Sequence, residues 1–77
     1  MIDKQKVIAL VREALDVDID EKSSSETVEQ WDSLGRLSIV SALDKQTEGK
    51  AGAISALINA SSIQQICEIL DDHNLAW

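Results

Sequence analysis

The stretch EQWDSLGRLSIVSALD, residues 29–44, holds the residues best suited to chemistry. An aspartate and a serine that lead into an apolar periodic run make a helix start. Asp32 is the expected cap, its carboxylate accepting a hydrogen bond from an early backbone N–H. Ser33 is then the first helical residue, and its hydroxyl points outward, unspent on capping. A helix start carries partial positive charge and free N–H groups, so an anion attached there gains up to ~1 kcal/mol. A phosphate ester on Ser33 suits that position. D-S-L alone is also an ordinary helix start with no chemistry attached.

The neighbours of Ser33 each have two readings. Leu34 is expected to anchor the first turn in the core. Gly35 costs a helix interior up to ~1 kcal/mol against alanine; it either clears space for an attached group or partner, or is a small packing residue. Arg36, one turn from Ser33, can pair with a phosphate or a partner's acid, or stand solvated. Trp31 either staples the loop to the first helical turn or faces a docking surface.

The remaining reactive residues form no catalytic set. Cys67 lies on an apolar helical stripe, and His73 has no second ligand near it. Asp16, Asp18 and Asp20 imitate the start of a calcium loop, but Glu21 and Thr27 stand where such a loop needs glycine and glutamate. No metal site is expected, and neither is enzymatic activity. Ser23, Ser24 and Ser25 look like loop filler.

These residues need a scaffold, and the periodicity supplies one. Residues 3–15 predict a first helix, with Asp3 as its cap and Val7, Ile8, Leu10, Val11 and Leu15 on one face. Residues 16–31 have no helical period and read as a long loop pinned to the core by Val17, Ile19, Val28 and Trp31. Residues 33–47 predict a second helix along Leu34, Leu37, Val40 and Leu43, with Ile39 and Ala42 widening the face and Gly49 as a stop. Residues 48–60 suit a short helix around 54–58 or an irregular crossing. The last helix, 62–73, opens on a capping box from Ser61 with Gln64 or Ser62 with Gln65. The expected fold is all-α: a single domain over 1–77, an irregular four-helix bundle of three main helices and one short one.

Bulk properties narrow the class. The 77 residues are 44% hydrophobic, with two tryptophans, no phenylalanine and no tyrosine, so the core must be aliphatic. A net charge of −7 argues against nucleic acid and favours partners with basic patches. No apolar run approaches ~18 residues, so no membrane insertion is expected. One cysteine allows no internal disulfide and points to a reducing, cytoplasmic setting. A soluble monomer is expected.

The whole pattern resembles the acyl carrier protein family. WDSLGRLSIVSALD, the apolar positions Leu34, Leu37, Ile39, Val40, Ala42 and Leu43, the exit Leu15-Asp16-Val17, and the last helix from Ile63 to Leu70 all fall where that family has its elements. The likeness covers nearly the whole chain and is thinnest over 45–60. It implies a four-helix bundle with 4′-phosphopantetheine, taken from coenzyme A, attached covalently to Ser33, with Asp32, Leu34, Gly35 and Arg36 flanking the attachment. WDSLGRL is more similar to stand-alone carriers of specialised pathways than to the fatty-acid carrier. Two departures stand out: Thr47 occupies the place of a common phenylalanine, and residues 34–47 hold one acid, Asp44, against Arg36 and Lys45. Most acidity lies upstream, with eight acids and one lysine over 13–32.

The resemblance implies a covalent shuttle of acyl or aminoacyl groups as thioesters. Its partners would be a phosphopantetheinyl transferase, an activating ligase or acyltransferase, and downstream biosynthetic enzymes. Trp31, Leu37 and Asp44 are the candidates for the surface those partners touch. The alternative is a helical module that binds a protein partner without any prosthetic group.

Overall fold

Three α-helices carry the chain in the computed structural model, which describes residues 2–75. Helix α1 spans Lys4–Leu15, α2 spans Ser33–Gln46 and α3 spans Ile63–Asp72. Two short 3₁₀ segments, Ala51–Ala53 and Ser55–Asn59, lie between α2 and α3. The fold is small and all-α, with no strand among the described residues. The segment read as one short helix or an irregular crossing is therefore two 3₁₀ turns.

Helix α1 begins where expected: the Asp3 carboxylate accepts from the Lys6 amide at 2.8 Å. Val7, Ile8, Val11 and Leu15 are buried, with Val7 and Ile8 adjacent and Ile8, Val11 and Leu15 each about one turn from the next. Asp16 then turns left-handed, at φ 53°, and closes the helix.

The loop over 16–32 is anchored as the sequence suggests, with Ile19, Val28 and Trp31 buried and Val17 packed against the core. Its serines are not filler. Ser23 is buried, and its hydroxyl accepts from the Asp20 amide at 2.9 Å. Ser24 and Ser62 form an antiparallel bridge, flanked by Ser25 N–H to Ser61 O at 2.7 Å and Ile63 N–H to Ser23 O at 3.1 Å. The serine run thus laces the loop to the start of α3. Arg12 adds a second tie, donating from Nη2 to the Ile19 carbonyl at 2.9 Å.

Leu15 at the end of α1 lies against Gly35 at the start of α2, while Lys6 and Gln46 at the opposite ends line one groove. The two helices therefore run antiparallel. The buried face of α2 is Gly35, Ile39 and Leu43. Of the expected face, Ile39 and Leu43 are buried and Val40 packs against the core, but Leu34 is 75% exposed and Leu37 57%, so neither reaches it. Gly35 is the position that faces inward at the helix start, close against the Gln30 carbonyl and Leu15, and positions 34 and 37 lie on the opposite side.

Helix α2 ends at Thr47, whose buried hydroxyl donates to Leu43 O at 2.8 Å and accepts from Ala51 N–H at 2.8 Å. Glu48 and Gly49 then take positive φ, 57° and 90°, which reverses the chain into the 3₁₀ segments. At α3, Ser62 is the cap, accepting from the Gln65 amide at 3.0 Å. The Gln65 side chain reaches back to the Ser61 amide at 2.7 Å, one residue beyond a standard capping box. Ile63, Ile66 and Leu70 face inward.

Candidate functional site

The start of α2 is held from three directions. Trp31 is 2% exposed, and its Nε1–H donates to the Ala60 carbonyl at 3.2 Å. Asp32 accepts from the Gly35 amide at 2.9 Å through Oδ1, and its own carbonyl closes the first helical bond to Arg36 N–H at 2.9 Å. Gly35 presses on the loop: a Cβ there would overlap the Gln30 carbonyl oxygen and stand 3.0 Å from Leu15 Cδ2. Glycine is needed for that backbone approach. Of its two readings, packing is the one its surroundings explain.

Ser33 sits between these anchors and is exposed. Its hydroxyl takes no part in the cap, because Asp32 fills that role. Helical geometry leaves the first N–H groups without intrahelical partners; Asp32 uses that of Gly35. The result is an accessible hydroxyl on a fixed backbone at the positive end of a helix. Leu34 and Leu37 stand exposed beside it.

Several expected site residues land elsewhere. Trp31 is interior, so it belongs to the core and not to a docking face. Asp44 is half-buried, and its Oδ1 accepts from the exposed Gly52 amide at 2.9 Å, tying the first 3₁₀ segment to α2. One oxygen of its carboxylate is thereby committed to the fold. Arg36 is partly buried, and its Nε has no hydrogen-bond partner. Leu37 alone of the three partner-surface candidates faces outward.

The rest of the reactive inventory lies away from Ser33. Cys67 is half-buried on α3, where burial pushes its thiol up from the ordinary value of 9.0; Lys4 opposes and Glu68 adds to that shift. Among the described residues no group of three or more His, Cys, Asp or Glu could hold a metal ion. No helix among them is long and apolar enough to cross a membrane.

Sequence reasoning missed the groove between α1 and α2, about 670 Å³, which places Lys6, Leu10 and Glu13 opposite Leu37, Ser41 and Lys45. Part of the signal was present: Lys6 and Glu13 suit the wet side of the first helix and Leu37 a partner surface, while Leu10 reads as core. Comparison with protein-family models, curated proteins and solved structures gives no match.

Proposed function

We propose that the chain is a carrier protein on which Ser33 is the attachment point for 4′-phosphopantetheine, and that it shuttles acyl or aminoacyl groups between partner enzymes. One observation carries this reading. The Ser33 hydroxyl is exposed and left out of the cap, while the backbone on either side of it is locked by Trp31, Asp32 and Gly35. At α3 the serine is itself the cap, Ser62 accepting from the Gln65 amide; at α2 Asp32 caps instead, which leaves the Ser33 hydroxyl free.

The residues present fit the group. The amide end of α2 favours the negative charge of a phosphodiester at Ser33. Asp32 fixes the turn without covering the hydroxyl, and Leu34 and Leu37 give an enzyme apolar surface beside it. When bound, the group supplies a terminal thiol on a flexible arm, able to hold a thioester. The chain's own part is to present one hydroxyl in fixed geometry and to be recognised. It needs no general base, because the transferase and the loading enzyme bring theirs.

The rival reading, a protein-binding module without a prosthetic group, draws on the same two exposed leucines. Intact mass after incubation with coenzyme A and a broad-specificity phosphopantetheinyl transferase separates the two. The carrier reading expects a gain of one phosphopantetheinyl group on the wild type and none on Ser33→Ala. A folded wild type that gains nothing, with this transferase and with one from the native host, supports the module.

A further inference from the structure

The groove between α1 and α2 has a charge that the chain as a whole does not. The protein carries −7, yet Lys6 and Lys45 line this groove and Glu13 is its one acid. The antiparallel packing sorts these charges. Glu13 lies at the Ser33 end with Leu37, whereas Lys6 and Lys45 lie at the far end. Lys45 is twelve residues along α2 from Ser33, about 18 Å at ~1.5 Å per residue. Leu10 and the 57%-exposed Leu37 supply the apolar surface between. Asp44, the only acid of α2, is withdrawn from this face by its bond to the Gly52 amide.

We propose that this groove docks a partner protein through a segment that sets an apolar side chain against Leu37 and Leu10 and carboxylates over Lys6 and Lys45. The partner's docking face is therefore apolar and acidic, the reverse of what the net charge of the chain suggests. At ordinary ionic strength a charge acts over roughly 8–10 Å, so the two lysines govern contacts at their end of the groove, while the acidic loop over 16–32 leads into the other end of α2. A carboxylate pair at the lysine end also sets the direction in which the partner lies along α2, with its remaining surface towards Ser33. The identification of that partner as an enzyme acting at Ser33 rests on the carrier reading; the docking chemistry does not.

Amide chemical shifts of the ¹⁵N-labelled unmodified protein test the docking directly, with two synthetic helical peptides as probes. Both carry the same leucine stripe, flanked by glutamates in one and by lysines in the other. The proposal expects the glutamate peptide to shift Leu10, Leu37 and Lys45, and to bind at least about tenfold more tightly than the lysine peptide at low salt, a gap that narrows as salt is raised. The exposed pair K6E/K45E should reverse the preference, and Ser33→Ala should leave it unchanged. Equal or tighter binding of the lysine peptide overturns the proposal, as do shifts centred elsewhere or no binding of either peptide at millimolar concentration. Concentration-dependent shifts of the groove without peptide would assign it to a second copy of the chain instead. Because the unmodified protein is used throughout, failure here leaves the mass test of Ser33 standing, and failure of that test leaves this one standing.

Discussion

The indole N–H of Trp31 donates to the carbonyl of Ala60 at 3.2 Å, a buried bond between residues 29 apart in the chain. It joins the last turn of the long loop to the end of the second 3₁₀ segment, directly before the Asp32 cap. The position of Ser33 is thus fixed by long-range packing and by its local cap together. Trp31→Phe keeps a ring but leaves the Ala60 carbonyl unpaired, so a loss of about 1–3 kcal/mol is expected in urea unfolding. Trp31→Ala should cost about 3–5 kcal/mol. An unchanged midpoint in both would show that the loop anchors itself elsewhere.

Gly35→Ala tests the close approach of helix and loop. On helix propensity alone alanine should stabilise by up to ~1 kcal/mol. The Gln30 carbonyl stands where the new methyl must go, and backbone cannot swing aside as a side chain can. A net destabilisation of about 1–3 kcal/mol is expected, and a more stable variant would contradict the packing described.

Thr47→Val keeps the shape and removes the hydroxyl that joins the Leu43 carbonyl to the Ala51 amide. The Ala51 amide is then buried without its partner, at a cost of about 1–3 kcal/mol. Hydrogen exchange should quicken first over residues 51–60. Uniform acceleration across the chain would mean that Thr47 supports the whole core and not this segment.

The Cys67 thiol gives a pH-dependent control. Burial raises its pKa above 9.0, so at neutral pH it holds less thiolate than a free cysteine. Alkylation of the unmodified protein should be slow at pH 7 and should rise with a midpoint above 9.0. The linkage has one sign: the folded state keeps the proton longer than the unfolded state. The contribution of this thiol to stability is therefore complete below the unfolded pKa and falls as pH rises from that value to the folded one. Loading should add a second thiol that reacts at the rate of a free one at pH 7. A single slow thiol after loading would contradict the carrier account.

Helix existence was legible because α1 and α3 carry apolar residues at 3–4 spacing, with Asp3 and Ser62 as recognisable caps. The inward face of α2 was legible only in part: Ile39, Val40 and Leu43 meet the core as expected, and Leu34 and Leu37 do not. Leu34, Leu37, Val40 and Leu43 make a regular step of three, but leucines on a helix do not declare which side is wet. At the helix start the inward position is Gly35, close against a carbonyl that lies in an aperiodic loop. The same limit hid the serine bridge between the loop and α3, since pairing of Ser24 with Ser62 depends on tertiary placement. Asp32 and Ser33 were legible because capping is local. The burial of Trp31 was one of its two readings; its bond to Ala60 and that of Asp44 to Gly52 were not legible, because each partner is a backbone group outside the residue's own element.

The attachment at Ser33 is tested most directly by site-resolved mass spectrometry of the loaded protein. Trypsin releases Ser23–Arg36, SSSETVEQWDSLGR, whose four serines compete within one peptide. Ser23 is buried, and Ser24 and Ser25 are partly buried in the bridge to α3, whereas Ser33 is open. The carrier account predicts one phosphopantetheinyl group, on Ser33 alone. Modification at Ser23, Ser24 or Ser25, or a peptide unmodified after incubation of the folded protein with an active transferase, would contradict it.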